Sequence, residues 1–211
     1  MNLESGQSGG LWRPSSSLTE SMLDEAAGWI YLMDKSYYDL FSNDSGLLIE
    51  KLKSIFFTRD TEIEPTKFLF FDGVMVGFVN FFPGEQLMGR RLNVLKCLLP
   101  LSSSPGAIRE KLRGFSGALK PLPIECLYLS KLFVSPGFRG NGFASLLMRA
   151  YAAEAKKMKR KEVLHVGKNN EHAVKLYLRL GFFSADADNN SDYFLMMRNC
   201  DAPPDLSSTL V

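Results

Sequence analysis

The spacing of apolar residues along this chain switches repeatedly between strand-like and helical, and the switches divide it into elements. Leu11 to Arg13 reads as a short first strand. A helix is predicted after Ser17, where Ser-x-x-Glu places Glu20 three residues on, and Met22, Ala26, Trp29, Ile30 and Met33 share one face. Gly46 to Phe57 is a second helix with Leu48, Leu52, Ile55 and Phe56 turned inward. Lys67 to Phe71 and Met75 to Phe82 are strands, and the Asp72-Gly73 pair between them is a hairpin turn. From Glu85 to Pro123 the pattern is helical but interrupted by Pro100, Pro105, Gly114, Gly117, Pro121 and Pro123, so this stretch is an insertion rather than a connector. Then come a strand from Cys126 to Val134, a helix with Ala144, Leu147, Met148, Tyr151 and Ala155 at its spacing, and a strand VLHVG from Val163 to Gly167. A further helix runs through Leu180, followed by short strands around Phe183 and from Tyr193 to Met197, with Asp188-Asn189-Asn190 as their turn.

Strands alternating with helices make this an α/β chain. With 45% hydrophobic residues in 211, it can close a core without disulfides or metal, and one domain over residues 11–200 is expected. Residues 1–10, rich in Gly and Ser, and the tail 201–211 with Pro203-Pro204 are expected to be flexible. The absence of a long uncharged apolar run and of a basic-then-apolar N-terminus argues against membrane insertion and secretion, and for a cytoplasmic protein. Cys97, Cys126 and Cys200 are odd in number, lack C-x-x-C spacing and read as reduced thiols, with no metal site among them. A net charge of +2 is too small to suggest nucleic acid. Lys156, Lys157, Lys159, Arg160 and Lys161 do cluster at the end of one helix, where they complement its negative end as a solvated face.

Chemistry concentrates between Val134 and Lys156. Pro136, Gly137, Gly140 and Gly142 force a tight turn between strand and helix, so successive backbone N–H groups can point at one spot beside the helix N-terminus, the arrangement of an anion cradle. Within it Arg139, Gly142 and Ala144 stand at the spacing R-x-x-G-x-A, and after the next strand comes NNEHAVKLYLRLGF with Asn170, Ala173, Leu176, Tyr177, Gly181 and Phe182.

These two blocks, in this order, resemble the acetyl-CoA-binding core of the GNAT acetyltransferase superfamily. The resemblance is firm from Leu127 to Phe183 and weaker at Tyr37 to Phe41 and Asp72 to Gly84. It implies a mixed, twisted sheet of six or seven strands with helices on both faces, splayed between the strands ending at Val134 and Gly167. It also implies acetyl-CoA as co-substrate, its pyrophosphate on the backbone of Arg139, Gly140, Asn141, Gly142, Phe143, Ala144 and Ser145. Backbone groups of Leu132, Phe133 and Val134 would bond the pantetheine arm as an added strand does, and Asn170 and Ala173 would flank it. Tyr177 occupies the position that in many of these enzymes protonates the departing thiolate. Asn170, Ala173 and Tyr177 share one helical face.

His165 lies twelve residues before Tyr177, at a strand position where ribosomal-protein N-terminal acetyltransferases carry a glutamate base. A histidine there departs from that subgroup. Glu125 is a rival base, and Cys126 could in principle carry an acetyl group but reads as a buried thiol. At pH 7 a lysine-like amine is neutral about one time in 2,500, a handicap of roughly 4.6 kcal/mol, whereas an α-amine loses about 1 to 1.4 kcal/mol. Histidine suits the second task better. The expected activity is direct transfer of acetyl from acetyl-CoA to a primary amine, of a peptide N-terminus or a small molecule, in a ternary complex. The alternative is an acetyl-CoA-binding regulatory or interaction domain without turnover. The acceptor walls are the helix near Tyr31 to Phe41 and the insertion.

Overall fold

Seven strands make one sheet in the computed structural model, which describes residues 11–102, 106, 108, 122–185 and 192–199. They are β1 (Leu11–Pro14), β2 (Lys67–Phe71), β3 (Val74–Pro83), β4 (Cys126–Val134), β5 (Lys161–Gly167), β6 (Phe183–Ser184) and β7 (Tyr193–Arg198), in the spatial order β1-β2-β3-β4-β5-β7-β6. Every neighbouring pair is antiparallel except β4 and β5, which are parallel. The mixed, seven-stranded sheet is the one expected. The proposed termini, most of residues 103–121, Cys200 and the Asp188-Asn189-Asn190 turn lie outside the described residues.

Helices cover both faces. On one lie α1 (Glu20–Met33), α2 (Lys35–Tyr38), α3 (Ser45–Ile55) and α4 (Leu87–Leu98), packing Trp29, Ile30, Leu48, Leu52, Val94 and Leu98 against Phe68 and Phe78. On the other lie α5 (Phe143–Met158) and α6 (Glu171–Arg179), with Leu147, Met148, Tyr151 and Tyr177 against Leu127, Leu129, Leu164 and Val166. Strand alternation divides the two cores: Leu127 and Leu129 face α5, while Tyr128 between them joins Phe82, Leu87 and Val163 on the opposite face. The first helix starts later than its sequence pattern predicts. Thr19, not Ser17, caps it, accepting from Met22 N at 3.3 Å, because Ser17 Oγ instead donates to the Pro14 carbonyl at 2.9 Å within a 3₁₀ turn.

One irregularity shapes the middle of the sheet. Between β3 and β4 the register passes from Asn80↔Lys131 to Phe81↔Leu129, which leaves Ser130 as an extra residue, a bulge that bends β4. Asn80 beneath it donates to the Glu62 carbonyl at 2.8 Å and to Thr66 Oγ1 at 2.7 Å, tying the segment before β2 to this point. Pairing of β4 with β5 runs from Cys126↔Lys161 to Leu129↔Leu164 and stops there, although β4 stays on β3 as far as Val134 and β5 stays on β7 as far as Gly167. The two strands therefore part like the arms of a V.

Below the V the strands are locked. The Tyr151 hydroxyl, fully buried, donates to the Leu127 carbonyl at 2.6 Å and accepts from Val163 N at 2.8 Å, so α5 grips both strands where they still pair. Nearby, Arg198 on β7 makes a bidentate pair with Glu162 on β5 (2.8 and 2.7 Å) and donates to the Leu180 carbonyl at 2.6 Å. Both side chains are almost wholly out of water, 4% and 3% exposed, so removing one leaves the other as an uncompensated buried charge. Glu162→Ala should accordingly lower stability by about 3–5 kcal/mol in chemical denaturation. A loss under 1 kcal/mol would show that this pair does not hold β5 to β7.

Candidate active site

The β4 arm of the V offers groups that the sheet does not use. Ser135 N donates to the Val76 carbonyl at 2.9 Å, so the alternation of a strand turns the polar backbone groups of Phe133 toward β3 and those of Leu132 and Val134 into the gap. Two of the three residues expected to bond a cofactor arm thus turn out of the sheet, although the Val134 carbonyl is taken by Arg139 Nε at 3.1 Å, and the third does not. Trp29 stacks on the Phe133 ring at 4.9 Å and stiffens this arm from the α1 side.

At the mouth of the V the chain makes a 3₁₀ turn over Pro136–Phe138 and then enters α5 through Gly140 (φ 79°) and Gly142 (φ 78°). Positive φ is what glycine tolerates and other residues resist. Nothing lies within 4 Å of where a Cβ would stand on either, so the turn is uncrowded at both glycines. Whereas Thr19, Asp44 and Asn170 cap their helices, no side chain caps α5, leaving the N–H groups of its first turn for a ligand. An anionic pyrophosphate fits this geometry. Asn141 braces the turn by donating to the Phe138 and Arg139 carbonyls at 3.3 and 3.2 Å. The Arg139 side chain folds back, its Nε donating to the Val134 carbonyl at 3.1 Å, while Phe143 and Ala144 are half-buried and Ser145 is buried at the start of α5.

Asn170 begins α6, its Oδ1 accepting from Ala173 N at 3.2 Å, so the residue expected to flank the cofactor arm also serves as a helix cap. One turn on, Ala173 is half-buried, and another turn on, Tyr177 packs beside Phe182 with its ring 8% exposed. Burial, with a smaller contribution from Tyr128, pushes the Tyr177 phenol up to about 12. No hydrogen bond from its hydroxyl forms among the described residues. A neutral donor is thereby kept at the wall of the V.

His165 is on the other face. It alternates with Leu164 and Val166, which pack beside Tyr177, so its ring turns toward the α4 side. There its Nδ1 lies 3.2 Å from the Tyr128 hydroxyl, which accepts from Arg91 Nη2 at 3.2 Å. Arg91 Nε stands 3.6 Å from Glu62, and Ser130 at the bulge donates to Glu62 at 2.6 Å. Lys131, next on β4, is paired with Asp34 at the end of α1. Tyr177 and His165 are therefore both at the split but reach it from opposite faces. Tyr128, Arg91, Glu62 and Ser130 carried no motif and were missed in the sequence; only the polar tip of Tyr128 and the Ser130-Lys131 pair within a largely apolar strand hinted at them.

Other expectations resolve differently. Glu125 sits in a left-handed turn (φ 60°) before β4, exposed and at the opposite end of the strand from the split, so the structure does not bring it together with Tyr177 and His165. Cys126 is fully buried, and a Cβ on Gly84 would stand 2.2 Å from its sulfur, so it is a packing thiol that burial pushes up in pKa. The basic cluster ends α5, about 24 Å along the helix from the cradle. Arg160 there is held by Glu85 at 2.6 Å. Among the described residues no helix is long and apolar enough to cross a membrane, and no three His, Cys, Asp or Glu side chains are grouped to hold a metal.

The sequence model of the acetyltransferase (GNAT) family matches residues 29–182, and the chain belongs to that family. No protein of curated function matches it by sequence. Its fold is similar to that of an N-acetyltransferase from Staphylococcus aureus Mu50, at 16% identity and a TM-score of 0.63, over 89% of this chain and 100% of that one. A further acetyltransferase structure is 20% identical over 90% of this chain and 100% of the other, with a TM-score of 0.61. The PaiA N-acetyltransferase from Thermoplasma acidophilum, solved in complex with coenzyme A, is 14% identical over 90% and 99% of the two chains, with a TM-score of 0.51. Family and fold together support acetyl transfer.

Gly142→Glu would place a side chain and a negative charge in the open cradle. It should weaken acetyl-CoA binding at least tenfold by calorimetry, with Gly142→Ala as the control for backbone strain. Unchanged affinity in the glutamate variant would remove the cradle from the cofactor site.

Proposed function

We propose that this protein is an acetyl-CoA-dependent N-acetyltransferase that moves the acetyl group directly to a primary amine, both reactants being held at once in the V. The observation that carries this reading is the meeting of three features in one line. An uncapped glycine turn suits a pyrophosphate, the edge of β4 at Leu132 and Val134, which β5 does not pair, suits an amide-bearing arm, and a protonated phenol stands at the wall of the split. In this reading the amine is a peptide N-terminus or a small molecule with a low amine pKa, and the setting is cytoplasmic.

The chain's residues divide the work. The edge of β4 aligns the thioester, and one of its N–H groups polarises the carbonyl oxygen as charge builds there. Alignment of the two reactants in the V supplies up to ~7 to 11 kcal/mol of the barrier. Tyr177 gives its proton to the departing sulfur, and His165 takes up a proton from the amine; positioned proton transfers of this kind contribute about 10²- to 10⁴-fold.

Release of free thiol from acetyl-CoA across a panel of amines tests the reading. Tight acetyl-CoA binding with no thiol release for any amine would favour a binding domain without turnover. Tyr177→Phe keeps the packing ring and removes the proton, so turnover should fall more than tenfold with cofactor affinity nearly unchanged. Because the phenol titrates near 12, the wild-type rate should also show no alkaline decline from Tyr177 below about pH 10. Wild-type turnover in the phenylalanine variant would make Tyr177 a packing residue only.

A further inference from the structure

β4 loses β5 after Leu129, and the second residue beyond that point is a lysine. Lys131 alternates with Phe133, which packs on Trp29, so its side chain runs on the α1 side of the V and not along the cofactor edge. That side chain is only 10% exposed, a costly place for an ammonium without a partner. Burial acts to discharge it, but Asp34, Tyr38 and Glu62 outweigh burial and hold its pKa above the ordinary lysine value, so the cation persists at neutral pH. Among the described residues its ion-pair partner is Asp34 at the end of α1, a carboxylate 45% exposed whose side chain does not cap α2, which begins beside it.

The second ion pair of the cluster is built differently. Arg91 is turned to Tyr128 and Glu62, and Glu62 is held in place by its surroundings. Ser130 donates to its carboxylate at 2.6 Å and Asn80 to its backbone carbonyl at 2.8 Å. From α4, Arg90 and Asn93 hold the carbonyls of Thr61 and Asp60 at 2.7 and 3.0 Å. Lys131 and Glu62 both perturb the ionisation of Tyr128 and of Tyr37, so the two charges belong to one site between β4 and α2 at the split. One carboxylate of this site is anchored, and the other is free to swing into water.

We propose that Lys131 is the specificity-determining residue of the acceptor site, and that it takes a carboxylate of the acceptor in exchange for Asp34. The acceptor class is then a primary amine with a carboxylate a few bonds away, supplied by a peptide whose first residue is acidic or by a free amino acid. This rests on the reading of the V as the place where an amine is acetylated. The exchange keeps the charge count: Asp34 regains water as it leaves, and the buried ammonium is never left alone. Glu62, which stays, faces the same place with the opposite sign. The ammonium form of the acceptor therefore meets a carboxylate while the acceptor's own carboxylate meets a cation, and an amine without a carboxylate has no group to set against Lys131.

Two matched pairs of acceptors separate the sources of the carboxylate: a tripeptide beginning with glutamate against the same peptide beginning with glutamine, and free leucine against leucine amide. Each is measured as kcat/KM in thiol release from acetyl-CoA and as Kd by calorimetry on the protein saturated with coenzyme A. In at least one pair the carboxylate-bearing member should be preferred about tenfold or more. A preference in the first pair alone assigns peptides, and in the second alone amino acids. The preference should shrink to within about twofold in Lys131→Met and persist in Lys131→Arg, which keeps the cation. Asp34→Asn removes the competing carboxylate, so the preferred acceptor should bind about threefold tighter or better. Equal use of both members in both pairs, a preference that survives Lys131→Met, or weaker binding of the preferred acceptor in Asp34→Asn would overturn the proposal. Thiol release without a carboxylate preference would sink the role of Lys131 and keep acetyl transfer. A carboxylate preference in calorimetry without thiol release from any amine would keep that role and sink acetyl transfer.

Discussion

The parting of β4 and β5 above Leu129 and Leu164 is the constraint on which the rest of this molecule turns. A sheet that stopped pairing without compensation would expose two strands of unsatisfied N–H and C=O groups, each costly if buried away from water. Here the separation is held open by identifiable causes. Ser130 adds a residue to β4 and bends it, Asn80 anchors the loop below the bend, and Trp29 stacks on Phe133 to stiffen the bent arm. Tyr151 prevents the opening from running further down, since its hydroxyl joins the two strands at the last stretch where they pair. The result is an edge in the middle of a sheet, where a ligand with amide groups can complete the hydrogen bonding that the second strand abandons.

A gap through the sheet also lets the two faces contribute different chemistry. The α5 and α6 face is apolar, and it delivers a phenol whose burial keeps it protonated. On the α1 to α4 face Glu62, Arg91, Lys131 and Asp34 sit close to Tyr128 and His165, so a charge that forms there meets fixed partners rather than reorganising water. Tyr177 and His165 are kept apart because the backbone of the sheet stands between them. That separation follows from strand alternation: Leu164 and Val166 point one way, and His165 must point the other.

Much of this was legible in the sequence, for reasons that differ from element to element. The strand boundaries at Lys67, Phe71, Cys126 and Val134 are sharp because apolar runs there meet Gly, Pro or acidic turns. The cradle was readable because Gly140 and Gly142 are needed for a positive φ, which few other residues supply. The Thr19 cap was misplaced by two residues because Ser17, Thr19 and Glu20 offer overlapping signals, and only the hydrogen bond of Ser17 to Pro14 decides between them. The bulge at Ser130 left no mark, since an inserted residue in a strand changes which neighbours meet, not which residue types appear. The Arg91–Tyr128–His165 chain was hidden for a related reason: its members lie far apart in sequence, and Arg91 belongs to an insertion without a recognisable pattern.

The strand order has a consequence for how the chain is made. β7 is the last of the described strands to leave the ribosome, yet its place is between β5 and β6, inside the sheet. Until residues 193–198 emerge, the nascent chain carries β5 with one open side, and Glu162 waits on it without Arg198. Synthesis at about 5–20 residues per second makes this a long interval compared with hairpin formation, which takes microseconds. The earlier β1-β2-β3-β4 half can settle during translation, while the half that carries His165 and Tyr177 is sealed only when its final strand slides in. A protein built this way gains its catalytic cleft late, and an incomplete chain is exposed to unwanted strand pairing at the edge of β5.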